Sequence, residues 1–85
     1  MTSIYITENG AYLRKRGGHV VIGRNNEVLL EVPLERVDDV TVVGRVQVSS
    51  ALVTELLERN VPLSWISSYG NRLYCVVKHE NRFNL

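Results

Sequence analysis

Residues 40 to 66 read Val-Thr-Val-Val-Gly-Arg-Val-Gln-Val-Ser-Ser-Ala-Leu-Val-Thr-Glu-Leu-Leu-Glu-Arg-Asn-Val-Pro-Leu-Ser-Trp-Ile, and this stretch decides the fold. The apolar run Val40-Thr41-Val42-Val43 stops at Gly44. Ser49 or Ser50 then offers a hydroxyl to a free helix N–H, as a helix start requires. Leu52, Val53, Leu56 and Leu57 follow at the spacing of one helical face, leaving Glu55, Glu58 and Arg59 outward. Asn60 suits a left-handed stop, and Pro62 forbids continuation. A second apolar run, Leu63-Ser64-Trp65-Ile66, comes next. Strand, crossover helix at about 50–59 and strand imply that the two strands pair parallel. The nearly continuous apolar character of Asp39–Val43 suits a strand covered on both faces.

Upstream, the pattern is short strands and turns. Ser3–Thr7 alternates and is rich in β-branched and aromatic residues, and Asn9-Gly10 after it is the strongest short hairpin signal. Tyr12–Arg16, His19–Gly23 and Val28–Val32 read as three further strands, separated by Gly17-Gly18 and by Asn25-Asn26. Pro33 cannot donate to a ladder, so the last of these ends there or lies at an edge. Three successive hairpins predict a meander curling into a small sandwich or half-barrel. Downstream, Ser67–Asn71 is a turn and Arg72–Lys78 a final strand, with Leu73, Cys75 and Val77 inward. The expected fold is a β-rich α+β domain. It is a small mixed-sheet sandwich of six or seven strands with one crossover helix. The domain runs over residues 1–78, and 79–85 begin a linker.

Composition bounds the function. Eighty-five residues make one small domain, which buries about 60–65% of its unfolded surface. Ten Lys and Arg against nine Asp and Glu leave a net charge of +1, so a nucleic-acid argument must rest on local clustering. No apolar run approaches the ~20 residues that cross a bilayer, and the N-terminus lacks the pattern of a signal peptide. The expectation is a cytoplasmic protein away from membranes. A single cysteine, Cys75, allows neither an internal disulfide nor a cysteine-based zinc site, and fits a small apolar core residue.

Few residues carry chemistry. Arg14-Lys15-Arg16 is the one run of three like charges; alternation puts Tyr12, Arg14 and Arg16 on one strand face, where they could hold a phosphate backbone. A solvated hairpin face or inter-subunit ion pairs are the plainer readings. Arg24, Arg45, Arg59 and Arg72 are scattered through turns and element ends; loop arginines can reach DNA, but they are also the commonest way to keep turns soluble. His19 and His79 stand 60 positions apart without partners at ligand spacing. Asp38-Asp39 lacks a third ligand and reads as a turn. Trp65 and Tyr74 read as core. Gly44-Arg45-Val46-Gln47 is no phosphate loop, and no nucleophile–base pair stands out.

In order and spacing the chain resembles a known family. Ile4-Tyr5-Ile6-Thr7-Glu8-Asn9-Gly10-Ala11-Tyr12-Leu13-Arg14 is similar to the opening of the CRISPR-associated spacer-acquisition integrase. Glu31-Val32-Pro33-Leu34 with Val40–Gly44 is similar to its next segment. Val46–Ser49 with Leu56–Leu63 resembles its helix and following strand, and Ser67–Leu73 its final hairpin. The resemblance covers Met1 to about Val77. It implies the N-terminal β domain of a two-domain metal-dependent DNA endonuclease/integrase of antiviral defence. The metal ligands, for Mg or Mn, belong to a helical C-terminal domain absent from these residues. By this resemblance the chain has no catalytic, metal or cofactor residue of its own and is inactive alone. It is expected to form a homodimer, to meet a small CRISPR adaptation partner subunit and to lie along double-stranded DNA, with Arg14 and Arg16 as the candidate DNA contacts. Two competing readings remain: a stand-alone nucleic-acid-binding β-barrel, and a purely structural dimerisation module.

Overall fold

The computed structural model describes residues 1–67 in full and the backbone of Arg72–Val76. Among the described residues there are eight strands, one 3-10 turn and one α-helix: β1 Thr2–Ile6, β2 Ala11–Arg16, β3 His19–Arg24, β4 Glu27–Pro33, the 3-10 turn Leu34–Arg36, β5 Val37–Val43, β6 Gln47–Val48, α1 Ser50–Glu58, β7 Leu63–Ile66 and β8 Arg72–Val76. They form two four-stranded sheets, ordered β1-β5-β7-β8 and β4-β3-β2-β6. The β-rich α+β class and the mixed-sheet sandwich are thus as expected. The end of the last strand, the linker at 79–85, His79 and the side chains of Tyr74 and Cys75 lie outside the described residues.

The parallel pairing read from residues 40–66 is present: Val40 stands beside Leu63, Val42 beside Trp65. β8 adds antiparallel to β7. On its other side β5 pairs parallel with β1, Ile4 beside Val40 and Ile6 beside Val42. That pairing corrects the expected first hairpin, since β1 and β2 belong to different sheets. The reason lies in the turn. The Ala11 N–H donates to the Glu8 carbonyl at 3.1 Å, and only Gly10 (φ 87°) of the two central residues has positive φ. Those signs are those of a type II turn, whose twist splays the flanking strands. The turn is pinned elsewhere: the Gly10 N–H donates to the Arg45 carbonyl at 2.8 Å, and the Arg45 N–H to Asn9 Oδ1 at 3.1 Å. Between β3 and β4, by contrast, Asn25 (φ 54°) and Asn26 (φ 63°) are both left-handed, as a type I′ hairpin demands. The meander therefore has two hairpins, β2–β3 and β3–β4. Its fourth strand, β6, is two residues long and carried no readable pattern; it joins by parallel pairing with β2.

One apolar cluster joins both sheets and the helix. Ile4, Val40, Val42 and Leu63 come from the first sheet, Leu13, Val20, Ile22 and Val32 from the second, and Leu52 and Leu56 from α1. Trp65 packs against this cluster partly buried. β5 is covered on one face only: Val37, Val40 and Val42 are buried, while Asp39, Thr41 and Val43 are half-buried on the other. The both-faces expectation is corrected accordingly. Its outer row is partly open because α1 contributes its leucines to the shared core.

The helix is bounded as its ends predict. Ser49 Oγ accepts from the Leu52 N–H at 3.2 Å. At the other end Asn60 is left-handed (φ 59°), its N–H donates to Leu57 O at 3.1 Å, and the Val61 N–H reaches Leu56 O at 2.9 Å. These are the two bonds of a Schellman stop.

Candidate nucleic-acid interface

Residues directly opposite in a β ladder share a face. Tyr12 is opposite Gly23, Arg14 opposite Val21 and Arg16 opposite His19 on β3; on β6, Gln47 is opposite Tyr12. These residues therefore occupy the outer face of the second sheet, away from the core row of Leu13, Val20 and Ile22. Val21 is fully buried on this outer face, with Arg14 and Glu31 beside it in register. Sequence alternation alone did not mark Val21 as buried here.

The Tyr12 ring lies across Gly23. A Cβ at Gly23 would collide with the Tyr12 phenol and stand 2.7 Å from the Glu27 carbonyl oxygen. Glycine thus makes the seat on which the ring rests. Above the ring, the Arg14 guanidinium carbon is 4.9 Å from its centroid, within cation–π range. The result is a layered stack of backbone, aromatic ring and cation, fixed from two strands.

Ion pairs sort the remaining cations. Lys15, on the opposite face of β2, reaches Glu55 of α1 at 3.3 Å, and Arg59 reaches the same carboxylate at 2.7 Å. Hydrogen bonding by Arg59 first, and by Lys15 second, holds the Glu55 carboxyl below its ordinary value of 4.5. Arg24 pairs with Glu8. Arg14 and Arg16 make no ion pair among the described residues, and both are exposed. Arg45 anchors a loop through its backbone rather than its guanidinium. The side chain of Arg72 lies outside the described residues. The scattered arginines thus divide by partner, which no local pattern reveals.

Among the described residues no group of three or more His, Cys, Asp or Glu could hold an ion. Asp39 accepts a hydrogen bond from Ser3 Oγ at 3.0 Å, and Asp38 is exposed at the point where the register between β1 and β5 shifts. The pair read as a turn is in fact part of β5. His19 is an exposed strand residue beside Arg16 and Pro33. No helix among the described residues is long and apolar enough to cross a membrane.

The architecture is that of a small β-rich α+β module with a cationic strip on one sheet face that makes no ion pair among the described residues. The sequence profile described as "CRISPR associated protein Cas1" matches residues 4–84. The chain belongs to the Cas1 family. It is 35% identical over 69 residues to the CRISPR-associated endonuclease Cas1 3 of Thermus thermophilus, which covers 79% of this chain and 21% of that protein. The fold superposes on a chain of a partial Cas6-RT-Cas1–Cas2 complex with a TM-score of 0.81 at 15% identity, covering 93% of this chain and 24% of that one. It superposes on the protein of a TtCas1–DNA complex with a TM-score of 0.71 at 13% identity, covering 87% and 28%. The chain spans about a fifth of the curated relative's length and about a quarter of these solved chains.

Proposed function

We propose that this chain is the non-catalytic N-terminal β domain of a CRISPR spacer-acquisition integrase, serving homodimerisation, docking of the partner subunit and positioning of DNA. Membership of the Cas1 family supports this, together with relatives named for complexes with Cas2 and with DNA. The observation that carries the DNA role is the contrast on β2: Lys15 is spent on Glu55, while Arg14 and Arg16 face outward without a carboxylate partner among the described residues. Guanidiniums so placed can bind phosphate oxygens in pairs. By the family resemblance, the Mg or Mn of the full-length protein belongs to a helical C-terminal domain and not to this β domain, and no metal-holding group of acids or histidines occurs among the described residues. The domain is assigned to residues 1–78, acting in the cytoplasm.

The test is duplex binding against salt. Each phosphate contact adds about 0.9 to the slope of log affinity against log salt. The Arg14→Ala/Arg16→Ala double variant is expected to lower that slope by about 1.8. An unchanged slope with unchanged affinity removes both residues from the DNA surface. That result would favour the second reading, a purely structural dimerisation module, for which the exposed apolar run Val28-Leu29-Leu30 on β4 is the supporting observation.

A further inference from the structure

Beside the Arg14–Tyr12 stack the outer face of the second sheet holds an open cleft of about 510 Å³. Tyr12 and Arg14 form one wall, Asn26 and Val28 come from the β3–β4 hairpin, and Gln47 and Val48 from β6. We propose that this cleft takes a single nucleoside phosphate unit, either as a free mononucleotide or as one unpaired residue of a strand. The inference rests on the DNA-positioning reading above and gives the ligand of the same face.

Five features of the cleft lead to that ligand class. The volume falls in the range of small-ligand sites, about 300–1,000 Å³. The stack offers a flat, cationic plate fixed in place by its seat on Gly23, and nucleobases stack on arginine and aromatic planes. Asn26 and Gln47 each present an amide with both donors and an acceptor, the chemistry that reads a base edge, and neither amide is engaged by another described side chain. No carboxylate of the described residues lines the cleft; Glu31 shares the face but sits beyond Val21 in the row of Arg14. A cation is thereby disfavoured and a phosphate welcomed by Arg14. Val28, in register with Gly23 on the same face, adds an apolar contact for a sugar or base.

The experiment is a ¹⁵N-HSQC titration of the 85-residue chain with dAMP, with a short oligo-dA strand and with inorganic phosphate in parallel. Shifts centred on Tyr12, Arg14 and the side-chain amides of Asn26 and Gln47 are expected with dAMP or the strand. A response to the strand alone assigns the ligand to a strand residue; a response to dAMP as well allows the free nucleotide. Tyr12→Leu is expected to weaken binding about two- to fivefold, because the Arg14 plate loses the ring that holds it in place. Gln47→Ala is expected to weaken nucleotide binding while leaving the salt slope for duplex intact. Shifts that inorganic phosphate reproduces fully, or that ignore both substitutions, overturn the inference, as does silence of the cleft with all three probes. Retained salt-dependent duplex binding in those cases leaves the DNA-positioning reading standing. Nucleotide binding in the cleft without any duplex affinity supports the cleft and removes that reading instead.

Discussion

At the scale of single residues, Gly23 has the sharpest structural demand. Its hydrogen is the space into which the Tyr12 ring fits, and the Glu27 backbone closes the other side. A branched side chain there must push a ring and a rigid carbonyl apart together. Gly23→Val is therefore expected to cost about 1–3 kcal/mol, the usual penalty for forcing atoms into a filled site. Urea denaturation checks it, and a midpoint equal to the parent's would mean the ring has another seat. Glu55 makes a different demand. Its folded pKa is depressed by Arg59 and then Lys15, so its stabilising effect is present above the ordinary carboxylate range. That effect is lost as pH falls from about 4.5 through the lower folded value. The parent is thus expected to lose its advantage over Glu55→Gln on acidification below pH 4.5, and to lose part of it at high salt, because both partners are substantially exposed. Thermal melts of the two proteins across that range measure it. At this scale the sequence made the alternation of Tyr12, Arg14 and Arg16 legible. It did not say which cations are free, because the carboxylates that take Lys15 and Arg24 lie 40 and 16 positions away.

At the scale of elements, α1 shows why some boundaries are readable. A nine-residue helix is too short to persist alone, so its ends and its buried face must hold it. Ser49, Asn60 and Pro62 act on the backbone locally, and each does in the structure what its chemistry allows. Ser49→Ala is expected to cost about 1 kcal/mol, by freeing the Leu52 N–H without replacing its partner. Asn60→Gly is expected to be neutral or slightly stabilising, since glycine takes the left-handed stop at no steric cost. Chemical denaturation of the pair separates the two ends, and a stabilised Ser49→Ala would contradict the capping role. The Asn9-Gly10 pair shows the limit of such local reasoning. Asn-Gly permits a I′ hairpin, and the same dipeptide equally permits the type II turn observed; the choice was made by β5 and the Gly44-Arg45 loop, more than 30 residues on. β6 was illegible for a related reason. Two residues cannot show a period, and their strand state exists only through Tyr12 and Leu13 beside them.

At the scale of the whole molecule, the sheets leave two strand edges unpaired by any described residue. β1 ends one sheet and β4 ends the other, and they bound a groove of about 230 Å³ that includes Tyr5, Ile22, Leu29 and Leu30. Along it Tyr5 is 66% exposed, Leu29 53%, Leu30 54% and neighbouring Val28 45%. Leu30 lies in the inward row with Ile22 yet remains uncovered, because nothing among the described residues closes the sandwich on that side. An apolar, unpaired edge is a template for another strand, and the proposed homodimer places a second copy there. Glu27 and Glu31 bracket the apolar run, so a symmetric antiparallel pairing centred on Leu29 would set these like charges opposite each other. A shifted register, or a groove-to-groove contact that uses Tyr5, avoids that repulsion. Leu30→Lys tests the placement because it adds a charge to an already exposed position. The fold is expected to tolerate it within about 0.5 kcal/mol, whereas self-association measured by sedimentation velocity is expected to fall at least tenfold. A folded Leu30→Lys chain that associates as tightly as the parent would move the contact to another surface. Tyr5→Ala would then remain the discriminating measurement for the β1 side of the groove: a loss there with Leu30→Lys silent would mean that the first sheet alone carries the dimer.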